Sequence, residues 1–181
     1  KDMAEPWLDH VRYLYPTDAE ALFDFFAHAV QRPWEKVNHG VLLGGSPGIG
    51  KDTMLHPVLK AVGFENSRSI SPMLLRESFN AYLKSVVLVI DEIRDLGDTN
   101  QWAFYEQTKT LLAAPPKSLL VNEKFKPAYP IPNVAHVIMT TNSKFDGLYL
   151  PADDRRHYVA WSDVPGAGEP GCADAGVFQD L

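Results

Sequence analysis

The sequence has one cysteine, no long apolar run and no excess of positive charge, and each absence excludes a class of protein. Of the 181 residues only Cys172 is a cysteine, so neither an internal disulfide nor a cysteine metal cluster can form. No apolar stretch approaches the roughly 20 residues of a membrane-spanning helix, so we expect no membrane partner. The net charge of −6 excludes a generally basic nucleic-acid coat. Nucleic acid would have to be bound by a local basic patch.

The remaining composition, 45% hydrophobic and 22% charged, is that of an ordinary globular protein with one core. The single cysteine suits a reducing cytoplasm, where we expect the protein to be located. Because Lys1 is not a natural start, we expect a fragment of a longer protein. We assign residues 1–16 to the tail of an upstream region and 17–163 to the core. Residues 164–181 are predicted as a loop and the start of a truncated C-terminal element.

A glycine-rich stretch from Gly44 to Thr53 lies between a predicted strand and a predicted helix. Its glycines permit positive φ and close approach of the backbone to a ligand, so the loop N–H groups and the helix start face an anion. Lys51 adds a charge for the β- and γ-phosphates. The alternative is a glycine-rich turn with a surface lysine. The predicted nucleotide-binding residues are Gly45, Ser46, Pro47, Gly48, Ile49, Gly50, Lys51, Asp52 and Thr53.

Two carboxylates, Asp91 and Glu92, follow a run of five apolar residues at 86–90. Such a run predicts a strand buried on both faces, as in a parallel sheet, whose carboxyl end is where an open α/β sheet binds its ligand. We predict that Asp91 holds Mg²⁺ and that Glu92 activates the attacking water. Asp52 stands where Ser or Thr ordinarily ligates the metal, so the predicted metal ligands are Asp52, Thr53 and Asp91. The alternative is a strand followed by an acidic turn.

Helices are predicted in three further places. A capping box at residues 17–20 should start a helix that ends near Gln31. A second helix is expected from Pro72 to about Lys84, with Leu74, Phe79 and Leu83 facing inward. A third is expected over residues 101–114.

Residues 119–133 alternate and are rich in proline, which predicts a β-hairpin with an exposed tip rather than a central strand. Lys124 and Lys126 flank Phe125, and a cation–aromatic cluster on an acidic protein is a candidate contact for single-stranded DNA. The alternative is a solvated hairpin.

The strand predicted at residues 135–140 leads into Asn142, which we expect to orient the attacking water near the γ-phosphate. The paired Arg155 and Arg156 require anionic partners if they are buried. We predict an arginine finger aimed at the nucleotide of a neighbouring subunit. The alternative is a pair of surface salt bridges with Asp153 and Asp154.

In their order and spacing, these motifs over residues 17–163 resemble the superfamily 3 helicase ATPase domain, a branch of the AAA+ fold. The chain is most similar to the helicase part of phage and plasmid primase–helicases. Lys51, the carboxylate pair and Asn142 match the motifs that act within a subunit, and Arg155 or Arg156 matches the finger that acts between subunits. Asp52 departs from the family pattern.

The resemblance implies an α/β, three-layer P-loop NTPase fold with a mostly parallel sheet and a β-hairpin insertion. It implies ATP and Mg²⁺ as cofactors, and a ring-shaped, usually hexameric motor on single-stranded DNA whose hairpin lines the central channel. A primase domain or protein is an implied partner, and the implied location is the cytoplasm of a bacterial host, with the gene carried by a phage or mobile element. Two other functions stay open: another P-loop enzyme such as a small-molecule kinase, and a non-catalytic nucleotide-gated assembly module.

Overall fold

The computed structural model describes residues 4–93, 98–113, 118–144, 150–166 and 168. The predicted loop and truncated element at 164–181 therefore lie outside the described residues, except for 164–166 and 168. None of the described helices is both long and apolar enough to cross a membrane.

A five-stranded sheet forms the centre of the protein, and every pair of neighbouring strands in it is parallel. The described strands, in chain order, are β1 (Gly40–Gly44), β2 (Ser67–Ile70), β3 (Val87–Ile90), β4 (Ser118–Val121), β5 (Tyr129–Pro132), β6 (His136–Thr141) and β7 (His157–Trp161). The sheet order is β2-β3-β6-β1-β7, and β4 pairs with β5 as a separate antiparallel hairpin. The hairpin prediction is confirmed.

Helices cover both faces of the sheet. They are α1 (Glu5–Leu14), α2 (Ala19–Gln31), α3 (Lys51–Val62) and α4 (Asp98–Leu111), with short 3₁₀ turns at Phe64–Asn66, Pro72–Arg76 and Ala81–Lys84. Buried side chains of α1, α2 and α3 pack on one face, and those of α4 pack on the other.

Alternation along the strands produces these two apolar layers, because successive side chains of a strand point to opposite faces. In β3, Val87 and Val89 join the cluster of α1–α3, whereas Leu88 and Ile90 join the cluster of α4. All four residues are buried, as predicted for a strand covered on both sides. The three-layer α/β fold of the P-loop NTPase type, with its hairpin insertion, is confirmed.

The N-terminal residues differ from the expected tail. α1 places Val11 and Leu14 fully buried in the same core as the rest of the chain, and Tyr15 follows them into it. The core therefore includes residues before 17. The expected capping box also does not form, because the Thr17 hydroxyl donates to Asp18 Oδ2 at 3.0 Å and no side chain caps α2.

The helix expected from Pro72 to Lys84 was a wrong prediction. The segment forms two 3₁₀ turns, and Phe79 lies about half exposed between them. Besides the short-range bonds of these turns, Asn80 of the segment forms hydrogen bonds with the hairpin. Asn80 N–H donates to the Asn122 carbonyl at 3.1 Å, and Asn122 N–H donates to Asn80 Oδ1 at 2.6 Å. These tertiary bonds override the local helical pattern.

Candidate active site

The register of the sheet brings the predicted motifs to one edge. β6 lies between β1 and β3, with Leu42 opposite Met139 and Met139 opposite Ile90. Because the three strands are parallel, the segments that follow them leave the sheet together at its carboxyl edge. The glycine-rich loop, the carboxylate pair and Asn142 therefore meet at one place.

Three glycines give the loop its shape. Gly45, Gly48 and Gly50 have φ of 148°, 76° and 96°, a region that side-chain-bearing residues rarely adopt. A Cβ at Gly45 would also lie 2.7 Å from the Ile49 side chain, which is buried in the core. Ile49 therefore anchors the loop and offers only its backbone to a ligand.

Lys51 begins α3 and its side chain is held by three hydrogen bonds. Its ammonium donates to the carbonyls of Gly45 at 2.7 Å and Ser46 at 3.0 Å, and to Asn142 Oδ1 at 2.7 Å. Burial lowers the pKa of this lysine, although Asp52 and Glu92 act to raise it. The lysine is thus already linked to the asparagine that was predicted to act with it.

Asp91 leaves β3 beside two other carboxylates. Burial raises its pKa, and the charges of Asp52 and Glu92 raise it further. Glu92 has φ of 53° and its backbone N–H donates to Thr140 Oγ1 at 3.0 Å. A non-glycine residue in this left-handed region costs free energy, and such strain is concentrated at functional sites.

These groups surround a cleft of about 700 Å³, which is within the size range of small-molecule sites. Its lining includes residues of the loop and α3, both carboxylates and Asn142: Pro47, Gly48, Gly50, Lys51, Asp52, Thr53, Leu55, Leu59, Ser69, Val89, Asp91, Glu92, Thr140 and Asn142. Gly45 and Ser46 contribute through their carbonyls, which bind Lys51.

The cleft combines groups that could bind phosphate with carboxylates that could bind a cation. Lys51, the positive-φ glycines and the start of α3 are of the kind that bind phosphate in proteins. Burial and the neighbouring charges of Asp52 and Glu92 raise the pKa of Asp91, and a nearby cation would oppose both effects. Among the described residues no group of three or more His, Cys, Asp or Glu side chains could hold a metal ion. Phosphate oxygens would have to complete the metal's coordination.

Arg155 and Arg156 lie away from this cleft. They precede β7, and Gly40 N–H, at the start of β1, donates to the Arg156 carbonyl at 2.8 Å. The arginines are therefore at the amino edge of the sheet, whereas the loop follows the carboxyl end of β1. With about 3.3 Å per residue, the five residues of β1 separate the two edges by roughly 13 Å.

The salt-bridge alternative for the arginines is not found: among the described residues neither arginine forms an ion pair with Asp153 or Asp154. Asp154 binds other groups. Its Oδ2 accepts the backbone N–H groups of Arg156 at 3.1 Å and His157 at 2.9 Å, and its Oδ1 accepts the Tyr105 hydroxyl at 2.9 Å. Asp154 therefore shapes the turn from which the exposed Arg155 extends.

A family model supplies an independent comparison. The model of the Family of unknown function (DUF5906) matches residues 42–156, more than half of the chain. The chain belongs to this family. The stretch matched by DUF5906 includes the glycine-rich loop, both carboxylates, Asn142 and the two arginines, whereas α1 and α2 precede it.

Solved structures show the same fold as this DUF5906 member. The apo structure of the NrS-1 C-terminal region matches with a TM-score of 0.82 and 20% identity, over 99% of this chain and 43% of that one. Two A form apo structures of the same region match with TM-scores of 0.74 and 0.77, also at 20% identity, over 99% of this chain and 42% of each of theirs. The chain thus spans about two fifths of the length of these structures.

The predicted DNA-contact residues of this DUF5906 member are at the tip of the hairpin. Phe125 is 92% exposed and has φ of 65°, and the Lys124 ammonium lies 5.0 Å from the centre of its ring. Lys126 donates to Glu123 at 3.0 Å. The carboxylate of Glu123 also accepts the Lys84 ammonium at 2.6 Å. The two lysines at the tip therefore differ, since among the described residues Lys126 is paired with a carboxylate and Lys124 is not.

Two polar residues of the cleft lining, Ser69 and Thr140, were not among the site residues predicted from the sequence. Ser69 comes from β2, a short strand with polar residues at Ser67 and Arg68 and no apolar run to mark it. Thr140 is the last residue but one of β6 and holds the backbone of Glu92. The signal for Thr140 was its place beside Asn142 at the end of a predicted strand.

Proposed function

We propose that this chain is the ATP-hydrolysing motor domain of a replicative DNA helicase, of the superfamily 3 branch of AAA+ proteins. It couples ATP hydrolysis at subunit interfaces to translocation on single-stranded DNA. One observation carries the proposal: the loop lysine, the carboxylate pair after β3 and the asparagine after β6 line a single cleft. These are the groups that phosphoryl transfer from a nucleotide to water requires.

Phosphate binding begins with an exchange of partners at Lys51. The lysine now donates to two loop carbonyls and to Asn142 Oδ1. Phosphate oxygens carry more negative charge than these neutral acceptors and would replace them as partners. Asn142 is then free to bind the attacking water or the γ-phosphate. The loop N–H groups and the start of α3 complete the phosphate site.

Asp91 would hold Mg²⁺, together with Asp52 or Thr53 in the first turn of α3. When bound there, the metal would supply positive charge that offsets the negative charge of the phosphates. Asp52 takes the place of a hydroxyl ligand in this arrangement, and it also brings a negative charge that opposes nucleotide binding without metal.

Glu92 is the proposed general base. Its exposed side chain borders the cleft, and its backbone is held by Thr140. It accepts a proton from water as the water oxygen bonds to the γ-phosphorus, and the bond to the β–γ bridging oxygen breaks to release ADP.

The remaining proposals concern assembly and partners. Arg155 or Arg156 reaches the nucleotide of a neighbouring subunit, which requires self-association into a ring, with a hexamer expected. Lys124, Phe125 and Lys126 contact single-stranded DNA in the channel of this ring. A primase domain or protein works with the motor, in the cytoplasm of a bacterial host of a phage or mobile element.

Two variants test the chemistry. Glu92→Gln keeps the shape of the side chain but removes the base, so ATP binding should stay near the wild-type value while most hydrolysis is lost. Lys51→Ala should weaken nucleotide binding itself. Binding is measured by titration with a fluorescent ATP analogue, and hydrolysis by phosphate release. Equal hydrolysis by wild type and Glu92→Gln would remove Glu92 from its role, and transfer of phosphate to a metabolite instead of water would favour a kinase.

A further inference from the structure

Three side chains at the N-terminal end of the core bind the backbone around the glycine-rich loop. Tyr15 donates its hydroxyl to the Gly44 carbonyl at 3.2 Å, and Trp7 donates Nε1–H to the Met54 carbonyl at 2.8 Å. His10 Nε2 lies 3.0 Å from the Gly50 carbonyl, which can only accept, so this nitrogen is the donor. We call Trp7, His10 and Tyr15 the α1 clamp, since two of them lie in α1 and Tyr15 follows it directly.

The three carbonyls that the α1 clamp binds belong to the last residue of β1, to the residue before Lys51 and to the first turn of α3. The Gly50 carbonyl also accepts Met54 N–H at 3.0 Å, the first hydrogen bond of α3. In a trans peptide the carbonyl and the following N–H point in opposite directions. A Gly50 carbonyl held toward α1 therefore turns the N–H of Lys51 away from α1.

His10 also limits the space behind the loop. Its side chain is buried, and a Cβ added at Gly50 would lie 2.8 Å from His10 Cε1 and 2.9 Å from Nε2. The ring thus packs directly on Gly50, whose φ of 96° already requires glycine. The His10 ring therefore fills the space into which the glycine-rich loop would have to shift to move toward α1.

Trp7 binds α3 near a gap in its hydrogen bonding. Pro57 lies inside α3 and has no N–H, so the Thr53 carbonyl lacks its usual partner four residues on. Trp7 binds the next carbonyl, that of Met54. This tertiary bond holds the first turn of α3, which carries Lys51 and Asp52, where the helix's own bonding is interrupted.

We propose that Trp7, His10 and Tyr15 are positioning residues that hold the glycine-rich loop in its anion-binding shape before the nucleotide arrives. This inference rests on the proposed function, because the ligand is a nucleoside triphosphate. Donors that are already in place need no ordering on binding, so loss of the clamp weakens affinity for phosphate. One hydrogen bond corresponds to a change of roughly 2- to 10-fold.

The test compares His10→Leu, which removes the donor, with His10→Gln, whose amide nitrogen can replace Nε2. We expect the Kd for ATP to rise about 2- to 10-fold in His10→Leu and to return close to wild type in His10→Gln. Inorganic triphosphate, measured by competition with a fluorescent ATP analogue, should lose affinity by the same factor as ATP. Melting temperatures of all variants identify any loss of folding.

Tyr15→Phe removes one donor and keeps the ring, and Trp7→Phe removes one donor and replaces the indole with a smaller aromatic ring. These two variants extend the test if His10→Leu does not fold. Wild-type affinity in all three donor-deleted variants would overturn the clamp and leave the proposed function in place. A loss for ATP without a loss for triphosphate would also overturn it. A wild-type protein that binds neither ligand would instead overturn the proposed function and the clamp together.

Discussion

Three carboxylates and one lysine determine the electrostatics of the cleft. Burial and two neighbouring carboxylates raise the pKa of Asp91, while burial lowers the pKa of Lys51. Both shifts express the cost of holding charge where water is partly excluded. A phosphate beside Lys51 and a cation beside Asp91 would each favour the charged form of its neighbour. These residues therefore suit a ligand that combines a negatively charged phosphate with a cation.

Substitutions at Asp52 test whether the cleft binds a cation together with phosphate. If Asp52 is a metal ligand, Asp52→Ala should raise the Mg²⁺ concentration needed for ATPase activity. Asp52→Ser should bring that concentration most of the way back to the wild-type value. In metal-free buffer Asp52→Ala should bind ATP at least as tightly as wild type, because a negative charge near the phosphates is gone. The measurements are Mg²⁺ titrations of hydrolysis and of ATP-analogue binding.

Thr53→Ala is the matched control for Asp52. A Mg²⁺ titration of Asp52→Ala that overlays wild type, while that of Thr53→Ala shifts, would assign the metal to Thr53. Asp52 would then act only as a favourable charge at the start of α3.

His136 predicts a pH dependence of stability. Burial lowers its pKa from 6.5 to about 4, so between these values the unfolded chain binds the proton more readily than the folded protein. The contribution of neutral His136 to the free energy of unfolding is fully present above about pH 6.5. It is lost as the pH falls toward 4. At about 1.4 kcal/mol per pKa unit, the loss is roughly 3 kcal/mol.

We expect His136→Phe to remove most of this loss, as measured by urea unfolding at several pH values. The Val86 carbonyl keeps a partner in the variant, because the backbone N–H of residue 136 donates to it at 2.7 Å. His56→Phe, at an exposed histidine, is the control. An unchanged pH slope in His136→Phe would assign the acid sensitivity to other groups.

At the scale of elements, the buried strands could be predicted and the contacts between distant segments could not. Apolar runs in β1, β3 and β6 and the prolines of the hairpin mark those elements locally. β2 has no such run, and the segment at 72–84 forms bonds to Asn122 that a local pattern cannot reveal. Residues 1–16 looked polar because only one face of α1 is buried. The cleft could be predicted because parallel strands bring their ends together.

The hairpin carries a prediction about DNA. Lys124→Ala with Lys126→Ala should reduce affinity for single-stranded DNA and the dependence of that affinity on salt, since fewer phosphates are neutralised. Lys124→Ala alone should account for most of the change, because Lys126 is paired with Glu123. Phe125→Ala should weaken binding by the loss of base stacking, worth about 1–3 kcal/mol.

Binding is measured by fluorescence anisotropy over a range of salt concentrations. Basal ATPase activity should survive in each hairpin variant, which shows that the cleft is intact. A salt slope equal to that of wild type would return the hairpin to its alternative role as a solvated loop.

At the scale of the whole molecule, the nucleotide cleft and the arginines lie at opposite edges of the sheet. The register pairs Gly40 with His157 and Gly44 with Trp161, so Arg155 and Arg156 sit at the level of the start of β1. The glycine-rich loop begins at the other end of β1. This separation supports the proposal that an arginine of one subunit acts on the nucleotide bound to a neighbouring subunit.

Mixed assemblies test the arginine. A subunit with Arg155→Ala and Arg156→Ala should be defective only as a donor, so mixing it with Lys51→Ala subunits should restore some ATPase activity at mixed interfaces. Arginine fingers contribute about 10³–10⁵ in rate, so partial rescue should be measurable. A mixture as inactive as both parents, with mixed assemblies shown to form, would contradict a finger acting between subunits.

The most direct test of the motor function is the ATPase rate with and without single-stranded DNA, measured together with the size of the assembly in solution. The account predicts hydrolysis that single-stranded DNA stimulates, in an assembly the size of a ring, and loss of that activity in Glu92→Gln. An assembly that binds ATP but shows no hydrolysis with or without DNA would contradict it and favour a non-catalytic assembly module.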